Sequence, residues 1–254
     1  MFHDLQILIP SRSRARNQRT IINLSKDLWQ YLAIVVPTEQ YHLYRTSVPE
    51  EIKVLPCDGI GNCVTRQFML HTQKTGKLIT FDDDLTFYKR TEDGTKFIRM
   101  MPVDSLDMVS HILTFLDKYP FVGLVDKFMS QHTPRNFKEC ARFNEVYGYN
   151  RDTLPVPWPE FRVPHEEEHD FNLQLITRGH KTAVITEYSK GQRTFAPGGC
   201  ADWRSEAVFA NAYTEMKKLW PQIVIEPTGR GYARPGSAST RRFDPESGVR
   251  RSDS

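Results

Sequence analysis

The sequence predicts an α/β fold: a Rossmann-like central sheet, largely parallel and doubly wound, with helices on both faces. Short runs rich in apolar residues recur at residues 5–10, 31–36, 51–56, 77–81 and 121–125, each reading as a strand, and Leu78, Ile79 and Phe81 suit one covered on both faces. Segments with helical spacing lie between them, and strands alternating with helices imply parallel neighbours joined by crossovers. The run at 77–81 ends in three consecutive acids, Asp82, Asp83 and Asp84, at the strand end where open α/β sheets bind ligands.

Composition narrows the class. With 39% hydrophobic and 26% charged residues among 254, the chain reads as soluble and globular, long enough for one large domain or two small ones. A net charge of +3 does not by itself announce a nucleic-acid binder. The four cysteines, Cys57, Cys63, Cys140 and Cys200, form no CxxC pair and no zinc spacing, which suits reduced thiols in the cytoplasm. The first residues lack the basic and apolar segments of a signal peptide, and no apolar run reaches membrane-spanning length.

The first strand, 5–10, runs into Ser11, Arg12 and a stretch through Arg19 holding four arginines and no acid. Ile21, Ile22 and Leu24 space a helix over about 14–26. A further helix is expected over 39–45. Gly59-Ile60-Gly61 then opens a helix carrying Arg66, Met69 and Leu70, a weak signal for phosphate at a helix N-terminus, with Gly76 expected as its C-terminal cap. No GxGxxG follows the first strand, so a dinucleotide fold is not indicated. For Asp82–Asp84 two readings stand: a solvated acidic turn, or carboxylates that repel one another unless a hard cation such as Mg²⁺ or Mn²⁺ sits among them.

Two strands around Glu92-Asp93-Gly94 read as a hairpin, and 104–118 as an amphipathic helix. Residues 130–159 mix polar, aromatic and proline residues and read as a short-stranded region on the acceptor side. Glu166, Glu167, Glu168 and Asp170 crowd the first turn of a helix closed by Gly179; complementing the helix dipole explains them without any catalysis. His165 and His169 are four apart but lack the HExxH arrangement of a zinc site. A strand at 182–187, a polar loop at 189–197, Gly198-Gly199-Cys200, and a last helix from about 204 to 220 complete the folded part.

Taken in order, Ile9-Pro10-Ser11-Arg12, Gly59-Ile60-Gly61 with Arg66, and Leu78 to Asp84 resemble the GT-A glycosyltransferases. The resemblance implies a mixed GT-A sheet and a nucleotide-sugar donor, with a UDP-sugar expected. Pro10, Ser11, Arg12, Gly59, Ile60, Arg66, Asp82 and Asp83 would bind that donor, and Asp82 and Asp84, the DxD, would hold Mn²⁺ or Mg²⁺. It also implies an inverting reaction, in which Glu168 deprotonates the acceptor, Asp170 being second choice; Glu168 departs from the Asp usual there. Glu167, Gly198 and Gly199 fall on the acceptor side. The stretches FNLQLITRG (171–179) and APGGCADWR (196–204), with 220–224, resemble a narrower group, the phage glycosyltransferases associated with TET/JBP-type oxygenases. That resemblance implies hydroxymethylated pyrimidine in DNA as acceptor and a host-cell cytoplasmic setting.

The expected organisation is one GT-A domain over 1–225, its donor half at about 1–100 and its acceptor half at about 101–225. A Gly/Ser/Pro/Arg-rich tail follows at 226–254, whose arginines either meet DNA phosphates or stay solvated and disordered. The same acids leave two other functions open: transfer to a glycan, lipid or protein, and nucleotidyl transfer. A DNA-binding module without catalysis would tolerate loss of the three aspartates.

Overall fold

Ile7 and Ile9 face one side of the first strand and Leu8 the other, and all three are fully buried. Burial on both faces is why the strand reads as an unbroken apolar run. The computed structural model describes residues 2–59, 61–72, 75–128, 137–192 and 206–222. Its strands are β1 (Leu5–Pro10), β2 (Leu32–Pro37), β3 (Lys53–Cys57), β4 (Lys77–Phe81), β5 (Leu85–Arg90), β6 (Phe97–Arg99), β7 (Phe121–Asp126), β8 (Phe137–Glu139), β9 (Val146–Asn150) and β10 (Ala183–Gln192). The helices are α1 (Arg19–Ile22), α2 (Tyr41–Arg45), α3 (Asn62–Thr72), α4 (Ser105–Leu116), α5 (Glu167–Thr177) and α6 (Glu206–Leu219).

All ten strands join one sheet in the order β3-β2-β1-β4-β9-β7-β10-β5-β6, with β8 against β10. The expectation of a largely parallel sheet holds only for β3-β2-β1-β4 and for β7-β10. β9 runs antiparallel between β4 and β7, and β5, β6 and β8 are antiparallel as well. β9 lies in the region expected to hold short strands on the acceptor side, and all five of its residues are buried. Its aromatic residues and Gly148 hid a central strand, where Gly148 leaves room for Ile112 and Leu116 of α4.

α4 covers one face through Met108, Val109, Ile112 and Leu116, a helical stripe against Ile7, Ile79 and Val122. α3 and α5 cover the other through Met69, Leu70, Phe171 and Leu175. Gly179 ends α5 with φ of 83° and donates to the Ile176 carbonyl, the left-handed stop that the sequence suggests. Gly76 does not play that part. Its φ is not positive; instead a Cβ there would run into the carboxylates of Asp4 and Asp152.

Two further expectations fail for one reason: tertiary contacts outweigh local pattern. The helix foreseen over 14–26 shrinks to α1 and a 3-10 segment, Lys26–Tyr31, because side chains hold the preceding backbone elsewhere. Gln18 donates to the Arg14 carbonyl and Thr20 to that of Asp82, bonds that bend the segment around the end of β4. Residues 189–192 of the loop foreseen over 189–197 are instead the second half of β10, which shifts register against β7 after Ile185 and pairs with β5 through Gln192, while 193–197 lie outside the described residues.

Candidate active site

The acidic triplet forms a tight turn between β4 and β5, and its members point three ways. Asp82, partly exposed, accepts from the Arg66 guanidinium of α3 at 2.5 Å. Asp83 and Asp84 are only 5% exposed, against the reading of a solvated turn. Asp83 accepts from Ser11 Oγ and from Arg14 Nη1, both at 2.5 Å. Asp84 accepts from the same Arg14 nitrogen at 2.8 Å and from Gln192 Nε2 at 2.8 and 3.0 Å. The turn's backbone is held by Thr20, which donates through Oγ1 to the Asp82 carbonyl (2.5 Å) and through its N–H to that of Asp83 (3.0 Å).

Burial pushes the Asp83 carboxyl up to about 6, against the pull of Arg14 and Ser11. Burial and then the neighbouring Asp82 raise Asp84, with Gln192 and Arg14 opposing. Burial works against the charge on Arg14, but Asp83 and Asp84 outweigh it and hold the guanidinium firmly charged.

The second acidic group meets the first. α5 begins at Glu166, a non-glycine residue in the left-handed region with φ of 70°. Arg142 Nη2 bonds Glu166 at 2.8 Å, and Nδ1 of His169 also pairs with that carboxylate. Glu167 lies 3.9 Å from Arg66 Nε, so one buried guanidinium spans Asp82 and Glu167. That guanidinium also stacks on the Tyr147 ring at 4.7 Å. Burial and Glu168 push Glu167 well above the usual carboxylate range, with Arg66 opposing. Burial also raises the Tyr147 phenol, and Glu168 adds to that rise, which places Glu168 within electrostatic reach of the same centre.

Glu168, 9% exposed, has one oxygen 3.9 Å from Nε2 of His169. Glu166, Glu168 and His169 offer ligand atoms within 4.8 Å of one another, a grouping unlike HExxH. Asp170 faces elsewhere. Fully buried, it accepts from Arg162 at 2.9 and 2.5 Å, from Gln174 at 3.0 Å and from the Trp220 indole at 2.9 Å, tying α6 to α5.

Of the residues expected to hold the donor, Ser11 is buried, bonding Asp83 and Tyr44. Pro10 and Arg12 are half-buried at the end of β1, and Gly59 is exposed with φ of 113°. Ile60, Gly198, Gly199, Cys200 and the 226–254 tail lie outside the described residues. Sequence reasoning missed Arg14, Gln192, Arg142 and a buried lysine. Lys190, fully buried, bonds Asn144 and Glu145 at 2.6 Å and Asp126 at 3.2 Å, and the Glu145 carbonyl receives the Asp82 N–H. Only the arginine run carried a signal, and it did not say which arginine turns inward.

The fold has solved counterparts. Glucosyl-3-phosphoglycerate synthase from Mycobacterium tuberculosis, in complex with Mn²⁺, UDP-glucose and phosphoglyceric acid, aligns with a TM-score of 0.52 at 11% identity, over 85% of this chain and 79% of that one. TarS of S. aureus in complex with UDP-GlcNAc gives 0.48 at 11% identity, over 84% and 66%. A mixed sheet of this order, with acids at the end of β4, is the GT-A glycosyltransferase fold. The sequence also matches the pattern of the TET-Associated Glycosyltransferase family over residues 5–199, and the chain belongs to that family. It is therefore a glycosyltransferase. No curated protein matches the sequence closely enough to count as a relative. Among the described residues, no helix is long and apolar enough to cross a membrane.

Proposed function

We propose that this glycosyltransferase uses a divalent cation and a nucleotide sugar, a UDP-sugar in the first instance, to glycosylate hydroxymethylated pyrimidine in DNA with inversion. The observation that carries the reading is the meeting of two acidic groups at Arg66, which pairs with Asp82 of the acidic turn on one side and with Glu167, the neighbour of Glu168, on the other. One group suits the donor's diphosphate and its cation, and the other suits the acceptor. A protein of the same fold that carries UDP-glucose and Mn²⁺ supports the donor and the cation. Membership of a family associated with TET oxygenases supports a hydroxymethyl acceptor on a base.

The donor set fits a hard cation. Asp82 and Asp84 offer carboxylate oxygens close enough for Asp82 to raise Asp84, a like-charge pair that a divalent ion would relieve. When bound, such an ion supplies Lewis-acid stabilisation of charge on the departing nucleoside diphosphate. Arg66 orients Asp82, and Ser11 with Tyr44 fixes Asp83 behind the site. Arg12 and the Gly59 turn hold the nucleotide at the ends of β1 and β3. Glu168 takes the proton of the acceptor hydroxyl as its oxygen attacks the anomeric carbon. Asp170, engaged by Arg162, Gln174 and Trp220, remains the second choice for that role. The target base leaves the stack or is offered on a single strand, since a stacked base shields its substituents.

The test is mass spectrometry of hydroxymethylated and plain DNA incubated with a panel of nucleotide sugars, with and without EDTA. The expected result is a gain of one sugar on hydroxymethylated DNA alone, abolished by EDTA and by Asp84→Asn. Full activity in EDTA overturns the cation. A mass gain only on glycan, lipid or protein overturns the DNA acceptor, and release of sugar 1-phosphate with a nucleotide added to the acceptor points to nucleotidyl transfer.

A further inference from the structure

One guanidinium nitrogen, Nη1 of Arg14, reaches Asp83 at 2.5 Å and Asp84 at 2.8 Å, and the three side chains are between 7% and 9% exposed. A cation bound to Asp84 would therefore find a positive charge already seated on the same carboxylate. A doubly charged ion repels a guanidinium twice as strongly as a second unit charge would, and burial weakens the screening. Counting the acidic turn with its two arginines, three carboxylates face two guanidiniums, a net charge of −1. A divalent ion alone would turn that to +1, whereas an ion arriving with a diphosphate, which carries at least two negative charges, would leave the centre negative.

We propose that Arg14 is a placeholder for the divalent cation, occupying the acidic turn until cation and diphosphate bind together, and that it couples their binding. The inference rests on the cation reading of Asp82 and Asp84. Arg14 lies in the stretch between β1 and α1 that forms no regular element, so its side chain can swing without breaking one. Its backbone is anchored independently of the side chain. The Arg14 N–H donates to Tyr44 Oη at 3.0 Å, and its carbonyl accepts from Gln18 Nε2 at 2.9 Å and from the Asn17 N–H at 2.8 Å. Gln192, which bonds both Asp84 oxygens, can hold that carboxylate in place while Arg14 departs. The freed guanidinium, planar and permanently charged, matches a diphosphate better than a point charge would.

Mn²⁺ binding to the full-length chain, measured by the EPR signal of free Mn²⁺ and by titration calorimetry, tests this without turnover. The wild type should bind Mn²⁺ alone weakly and more tightly with pyrophosphate present. Arg14→Met should bind Mn²⁺ alone on the order of tenfold more tightly and lose the dependence on pyrophosphate, a change within the usual range of coupling between sites. Arg14→Lys keeps a charge and should bind Mn²⁺ alone as weakly as the wild type, with a smaller gain from pyrophosphate because an ammonium is only a point charge. Arg14→Gln keeps an N–H donor without the charge, and should show the same gain if Arg14→Met fails to fold. Equal or weaker Mn²⁺ binding by the neutral variants overturns the inference. Asp84→Asn separates the two layers. If it abolishes Mn²⁺ binding while the Arg14 variants change nothing, the cation reading stands and the placeholder falls. If Mn²⁺ binding is indifferent to Asp84→Asn, the cation reading itself falls.

Discussion

The Arg66 guanidinium and the Asp82 carboxylate meet at 2.5 Å across sixteen residues of sequence, joining the middle of α3 to the end of β4. Arg66 is 5% exposed and also meets Glu167, the Thr80 hydroxyl and the face of Tyr147. Removing it strands the buried Glu167 and leaves the partly exposed Asp82 without its guanidinium, the costly way to break an ion pair that is largely buried.

Arg66→Met should therefore lower unfolding stability by about 3 kcal/mol or more and weaken donor binding. Urea unfolding followed by circular dichroism measures the first, and calorimetric titration with UDP the second. An unchanged midpoint would show that Arg66 is not the link between the two acidic groups.

Glu168 and Asp170 sit two residues apart but should fail differently. Glu168→Gln keeps the shape and loses the proton acceptor, so transfer should fall by roughly 10²-fold or more with nucleotide-sugar binding kept. Asp170→Asn weakens bonds from Arg162, Gln174 and Trp220 and should cost about 1–3 kcal/mol of stability instead. Paired kcat and melting measurements decide; loss of kcat at Asp170 with none at Glu168 reverses the assignment.

Cys63 donates to the Val163 carbonyl at 2.7 Å, and burial, with Glu167, Asp170 and Glu168 nearby, pushes its thiol up to about 12. A raised thiol pKa suppresses the thiolate, the reactive form, until the solution is strongly alkaline. At pH 8 about 0.01% is ionised, against about 10% for a thiol at its ordinary value of 9.0. Iodoacetamide at pH 8 should label Cys63 at least about a hundredfold more slowly in the folded chain than in urea. Peptide mass spectrometry reads the rates, and equal labelling in both states would contradict the burial.

If DNA is the acceptor, Arg12, Arg16 and Arg19, with Arg14 turned onto the acidic turn, and the arginines beyond residue 226 contact phosphates and release counterions. Affinity for duplex DNA should fall linearly on a log–log plot against salt, with a slope of about −0.9 for each phosphate contacted. Deleting residues 228–254 should flatten that slope and leave hydrolysis of the nucleotide sugar in water unchanged. Wild-type DNA transfer by the deletion variant would return the tail to a solvated role, and a flat salt response of the whole chain would exclude DNA.

The acidic turn and the acidic start of α5 were both visible in the sequence, as charge that packing does not explain beside apolar runs that it does. β1, β2, β4 and β7 were visible because strands buried on both faces are nearly apolar throughout, and β3, with Lys53 and Pro56 exposed at the sheet edge, through Ile52, Val54 and Leu55. β9 was not: Tyr147, Gly148, Tyr149 and Asn150 look like surface until β4 and β7 close over them. Nor was the unwinding of 14–26, where Ile21, Ile22 and Leu24 satisfied a helical period that bonds from Thr20 and Gln18 overrode.

By itself the sequence determined the α/β class and the acidic triplet at a strand end through local patterns of hydrophobicity and charge, and its motifs carried the resemblance to the family. Only the tertiary structure decided that Asp83 and Asp84 are buried, that Arg14 alone of its run turns onto them, and that Arg66 joins Asp82 to Glu167. The physical reason is range. Strand and helix periods are set by neighbours a few residues away, whereas a buried charge is tolerated only where a distant part of the chain delivers its partner.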